Sequence, residues 1–173
     1  MRLSLLAVLT GALVLPGCSK LVSLNPFVTE EQAAADPGLA GVWTDSGNEE
    51  IYIVKPDGKG YSITFLKDSI ARFEALMFRV GDAILLDVVS DNEDGFQIPA
   101  HTPMRVWPEG STLRMAFLDS DWLREQAEKQ IPSQEANGRR VITAPGEMVR
   151  AFLLKYGADD RSYGKPEILH RAQ

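Results

Sequence analysis

The chain has 173 residues, a formal charge of −6 and a single cysteine, with 45% hydrophobic and 24% charged residues. That length suits one domain with a sizeable core. The acidic balance, with basic residues scattered, argues against nucleic acid and against a polybasic grip on lipid, and one cysteine excludes an intramolecular disulfide and a thiolate metal cluster.

Met1-Arg2 carries one positive charge, Leu3 to Val14 form an uncharged apolar run, and Gly17 is a small residue directly before Cys18. This is the layout of a secretory signal peptide. The run is shorter than the roughly 20 apolar residues that span a bilayer. Leu15-Pro16-Gly17-Cys18 resembles the lipobox of bacterial lipoproteins, with Pro16 where a small or aliphatic residue is commoner. The resemblance implies cleavage before Cys18 and acylation of that residue by palmitate or a similar chain. Ser19 in that family favours the outer membrane, so the expected location is the cell envelope, lipid-anchored at the outer membrane. One acyl chain binds a membrane marginally, whereas several anchor a soluble domain without a spanning helix. Only Arg2 leaves with the leader, so the mature chain is slightly more acidic than the precursor.

Residues 18–38 are expected to be a lipidated tether. Within it, Thr29 and Gln32 have capping-box spacing and predict a short helix over 29–35, stopped by Asp36-Pro37-Gly38. The domain proper is expected over 39–157. Gly41-Val42-Trp43-Thr44 opens it as a strand, and Ile51-Tyr52-Ile53-Val54 is a second. Lys55-Pro56-Asp57-Gly58 is a turn, after which Tyr61, Ile63 and Phe65 alternate onto one face of a third. Residues 69–80 fit both a helical stripe (Ile70, Phe73, Leu76, Met77, Val80) and a strand. The strand is preferred, because Gly81-Asp82 then turns directly into the apolar run Ile84 to Val89.

A polar loop is expected over 90–102. Arg105-Val106-Trp107 and 113–118 then form two strands, with Leu113, Met115 and Phe117 on one face. Asp119-Ser120-Asp121 starts a helix that runs through Ile131 to Pro132, its acidic first turn suited to the helix dipole. Residues 133–140 read as a polar loop and 141–143 as a last short strand, with Thr143 capping the next helix and Pro145 in its first turn. Val149, Phe152, Leu153 and Tyr156 form that helix's apolar stripe, and Gly157 ends it. Residues 158–173 are polar and read as a loose tail.

The fold class is therefore mainly β within α+β: an antiparallel meander of about seven or eight strands, curling into a small barrel or half-barrel to hide its edges, followed by two short C-terminal helices. Gly41-Val42-Trp43 is similar to the Gly-x-Trp opening of the lipocalins and their calycin relatives. The resemblance implies a barrel closed at one end by Trp43 and a cavity for small apolar molecules. The family's Thr-Asp-Tyr turn is missing, and two helices stand where one is usual. Ligand-lining candidates are Trp43, Tyr61, Ile63, Phe65, Met115 and Phe117.

Other motifs carry little. Ser162-Tyr163-Gly164-Lys165 matches Ser-x-x-Lys without the companion motifs of penicillin-recognising enzymes. Ser90 to Gly95 lacks the first Asp and twelfth Glu of a calcium loop and reads as an acidic turn. Asp87 and His101 are a conceivable acid–base pair, though a structural histidine is the simpler reading. Asp121-Trp122 reads as a helix start with a buried aromatic rather than a sugar platform. Two histidines are too few for a zinc site. The sequence thus predicts no catalytic residues, cofactor or metal, and a non-enzymatic lipoprotein whose partners are the membrane, through Cys18, and a small apolar or amphipathic ligand. The alternative is an envelope scaffold with a packed core that docks a protein.

Overall fold

A computed structural model describes residues 21–91, 98–127, 131–136 and 139–172. The leader and Cys18 lie outside these residues, as do most of the acidic turn expected in the 90–102 loop and positions 128–130 of the helix expected to run to Ile131.

Eight strands close into an antiparallel barrel. In order around the ring they are β2 (Gly41–Thr44), β3 (Ile51–Asp57), β4 (Gly60–Leu66), β5 (Ile70–Val80), β6 (Ala83–Ser90), β7 (His101–Glu109), β8 (Thr112–Phe117) and β11 (Glu167–Arg171), which pairs back onto β2. Outside the ring, β1 (Leu21–Ser23) meets β7 at Ser23–His101 and runs parallel to β10 (Arg139–Ile142), which forms a hairpin with β9 (Ser133–Ala136). Helices α1 (Ser120–Ala127) and α2 (Gly146–Tyr156) complete the layer.

The meander forms because three hairpins turn where glycine relieves the backbone. Gly58, Gly81 and Gly110 all adopt positive φ, at 56°, 57° and 65°. The strand reading of residues 69–80 holds. Pro56, however, lies inside β3 opposite Tyr61, so that hairpin turns two residues later than expected.

Side chains alternate between two cores. Inside the barrel, Trp43, Tyr61, Ala75, Met77, Ile84, Leu86, Val106, Leu113, Met115 and Leu169 pack together. The outer face of β5 to β8 is the second core. There Phe78, Leu85 and Ala116 lie under Leu21, Phe27, Val28, Leu123, Val149, Phe152 and Leu153. This is why β6 is apolar on nearly every residue: both of its faces are buried.

Four expectations are corrected. Residues 21–38 do not hang free as a tether: Leu21, Phe27 and Val28 are buried, and Ala34 bridges to Met77. Their apolar side chains gain more from covering the outer face than from solvent. Residues 29–35 make a turn, not a helix. Thr29 N–H still donates to Gln32 Oε1 at 3.3 Å, but the backbone departs to pair with β5. The 133–140 loop contains strand β9 and the start of β10. Residues 158–173 are not a loose tail, because β11 is the strand that closes the barrel. Smaller differences concern the helices. Pro145 is the N-cap of α2 and no side chain caps it, while Thr143 N–H is bound to the Pro132 carbonyl. Gly157 ends α2 in an ordinary right-handed conformation. The start of α1 is as expected, with Asp119 Oδ1 accepting from the backbone of Asp121 and Trp122 at 2.8 and 2.7 Å.

Candidate functional site

The two ends of the barrel differ. At the end of the three hairpin turns, residues 34–40 cross the opening. Asp36 N–H donates to Tyr61 Oη at 2.7 Å, Tyr61 O–H donates to the Asp36 carbonyl at 3.0 Å, and the Asp36 carboxylate pairs with Arg79 at 2.9 Å. Trp43 is 0% exposed, and its Nε1–H donates to the Leu39 carbonyl at 2.9 Å. The guanidinium of Arg171 lies 4.2 Å from the centre of the Trp43 ring and donates to the carbonyls of Gly38 and Ala40, each at 2.9 Å. Gly41 makes room for it: at φ 148° a Cβ there would run into Arg171 Nη1. This end is a plug.

The opposite end is a mouth. Directly paired strand residues share a face, which places Tyr52 opposite Phe65, Ile63 opposite Phe73, Met104 opposite Phe117 and Met115 opposite Glu167 on the inner wall. Tyr52, Ile63, Phe65, Phe73 and Phe117 are half-buried, unlike the interior residues below them. The Tyr52 and Phe65 rings are 4.8 Å apart. Glu167 shares this wall. Its Oε1 and Oε2 lie 3.2 and 3.4 Å from Tyr52 Oη, which also reaches Glu50 Oε2 at 3.4 Å. Glu50 pairs with Lys67 at 2.6 Å.

The electrostatics follow from burial. Glu167 is pushed up to about 7, first by desolvation and then by the neighbouring Glu50. The Lys67 ammonium holds Glu50 below the usual carboxylate range. Burial, then the charge of Glu167, keeps the Tyr52 phenol protonated far above its ordinary range, so it acts as a fixed donor. The mouth therefore has an aromatic wall, one carboxyl that titrates near neutrality, and a hydroxyl that orients it.

The sequence-predicted lining residues divide between the two ends. Trp43 and Tyr61 are buried in the packed base, Met115 is buried in the wall opposite Glu167, and Ile63, Phe65 and Phe117 are half-buried at the mouth. Tyr52 and Glu167 were missed. Tyr52 lies in the unbroken apolar run Ile51-Tyr52-Ile53-Val54, which assigns it to neither face, and Glu167 sits in a polar stretch with no periodic signal.

Asp87 and His101 do meet, Oδ1 to Nδ1 at 2.8 Å, on the outer face of the barrel. Asp87 is 3% exposed, and its Oδ2 accepts from Phe27 N–H at 3.0 Å. The pair thus fastens the N-terminal segment to the wall. Arg105 does the same for the C-terminal segment, donating to the Ala158 carbonyl at 2.9 Å and stacking 4.7 Å from the Trp107 ring. Ser162 of the Ser-x-x-Lys match is buried, and its hydroxyl donates to the Tyr156 carbonyl at 3.2 Å. A hollow of about 300 Å³ lies outside the barrel, lined by Trp122, Glu125, Gln126, Tyr156, Asp159 and Arg161.

The protein is thus a small eight-stranded antiparallel barrel, plugged at one end and flanked by two helices. It matches no protein-family model, no curated protein and no solved structure.

Proposed function

We propose that the protein is a lipid-anchored, non-enzymatic envelope lipoprotein, held at the outer membrane through Cys18. In this reading the mouth of its lipocalin-like barrel takes a small amphipathic ligand. The observation that carries it is the half-buried wall of Tyr52, Ile63, Phe65, Phe73 and Phe117 that shares the inner face with the carboxyl of Glu167. Burying a carboxyl costs stability, and an acid perturbed by desolvation beside a specific charged neighbour is a functional-site candidate. The Trp43 plug supports the lipocalin-like reading.

Glu167 and Glu50 also bear on the ligand's class. Glu50 is already paired with Lys67, so above neutral pH the Glu167 carboxylate leaves the rim with excess negative charge, which repels a fatty acid and favours an amine or hydroxyl head group. Because the base is filled by the protein's own side chains, only the mouth is open to the apolar part. That filling favours a second reading, a solid barrel that serves as an envelope scaffold for a protein partner.

Anchoring has its own test. Cys18→Ser should leave an unlipidated precursor that is released from the membrane fraction. A variant that still floats with membranes after a salt wash would remove the lipoprotein reading.

A further inference from the structure

The described chain opens already bound to the barrel. Leu21 is 0% exposed and packs in the outer core, and β1 runs beside β10 with Leu21 opposite Arg140 and Ser23 opposite Ile142. Only three Cα steps separate Leu21 from Cys18. At about 3.8 Å each they span no more than about 11 Å. A domain of this size is roughly 30–40 Å across. A chain acylated at Cys18 therefore cannot turn freely over the membrane: the side that carries the start of β1 must lie against it.

The side in question belongs to the β9–β10 hairpin. Arg140 pairs with Leu21, and Arg139 and Ala136 close the hairpin toward its tip. Gln134, Glu135, Ala136 and Arg139 are exposed, and β9 is the last strand of the sheet order. The local charge is the reverse of the chain's −6. Within the two hairpin strands Arg139 and Arg140 stand against Glu135, which lies 3.9 Å from Arg140, and leave one positive charge in excess.

Resting on the reading that Cys18 is acylated, we propose that the β9–β10 hairpin and the start of β1 form a lipid-facing surface, seated on the phosphate layer of a bilayer with Arg139 toward it. The acyl chains supply the affinity and the hairpin sets the orientation. β3 lies four strands around the ring from β7, so its outer face, with Lys55, points away from the membrane.

The test uses the full acylated lipoprotein in vesicles of about three parts phosphatidylethanolamine to one of phosphatidylglycerol. Nitroxide labels are placed by Gln134→Cys or Lys55→Cys, and relaxation by a lipid-bound nickel chelate is measured. The label at position 134 should be relaxed at least about fivefold more than the label at 55. A Gly/Ser spacer of about 20 residues after Ser19, with a mean reach of about 25 Å, should shrink that ratio while leaving the protein membrane-bound. Arg139→Glu should shrink it in part. Equal relaxation at both positions, in a protein that is acylated and bound, overturns the orientation alone. A protein that is not acylated and does not bind overturns the anchoring reading, and this surface with it.

Discussion

The base and the mouth of this barrel are built on the same strands with the same alternation, yet their physics differs. At the base every polar group that enters the interior is matched: Trp43 by the Leu39 carbonyl, Tyr61 by Asp36, and Arg171 by two carbonyls and an aromatic face. At the mouth the aromatic wall is only partly buried, and a carboxyl stands in it at a cost to stability. The comparison teaches that closure here is supplied by chain ends. Residues 34–40 and Arg171 come from opposite termini to plug one opening, and nothing equivalent covers the other among the described residues. The matched polar groups and fully buried side chains are concentrated at the base, and the half-buried aromatic wall is left to the mouth.

The largest expected effect tests the base. Trp43→Ala should lower stability by about 3–5 kcal/mol, read from denaturant unfolding, because it removes a fully buried ring and strands Arg171. A loss below about 1 kcal/mol would erase the distinction between the two ends. Phe65→Ala should cost less, about 1–2 kcal/mol, since its ring is only partly buried. An equal loss at both positions would mean that the mouth is as tightly packed as the base.

The smallest effect is a pH dependence. The Glu167 carboxyl is raised when folded, so its contribution is fully present below its ordinary value of 4.5 and is lost as pH rises through about 7. Glu167→Gln removes that loss. After allowance for the solvent that reaches the group, the variant should gain on the order of 1 kcal/mol at pH 8 and nothing at pH 4. Thermal melts across that range check it, and a gain independent of pH would show that Glu167 stays ionised throughout.

Much of the base was legible because its signals are local. Gly58, Gly81 and Gly110 announce the hairpins, and Tyr61-Ser62-Ile63-Thr64-Phe65 alternates cleanly. Gly41-Val42-Trp43 pointed to a ring that closes one end. Arg171, its partner, was not legible, because it sits in a stretch where only Ile168 and Leu169 are apolar and Ile168 faces outward at 51% exposure. β9 is the polar run Ser133-Gln134-Glu135-Ala136, and β1 has three residues in a parallel pairing with a segment far along the chain. Neither has a periodicity to read. The same holds for the mouth: Tyr52 and Glu167 are 115 positions apart, and only closure by β11 brings them together.

Binding at the mouth tests the division of labour most directly. Phe65→Trp places a fluorophore on the inner wall, in a chain that starts at Ser19 and retains every described element of the barrel. Titration at pH 8 with a long-chain alkylamine, the matching alcohol and the matching fatty acid should give saturable changes for the amine and alcohol. Their affinity should be micromolar, near −8 kcal/mol, and the acid's weaker. Glu167→Gln should narrow the gap between amine and acid. No saturable signal and no thermal shift with any of the three would contradict the account and leave a solid scaffold barrel.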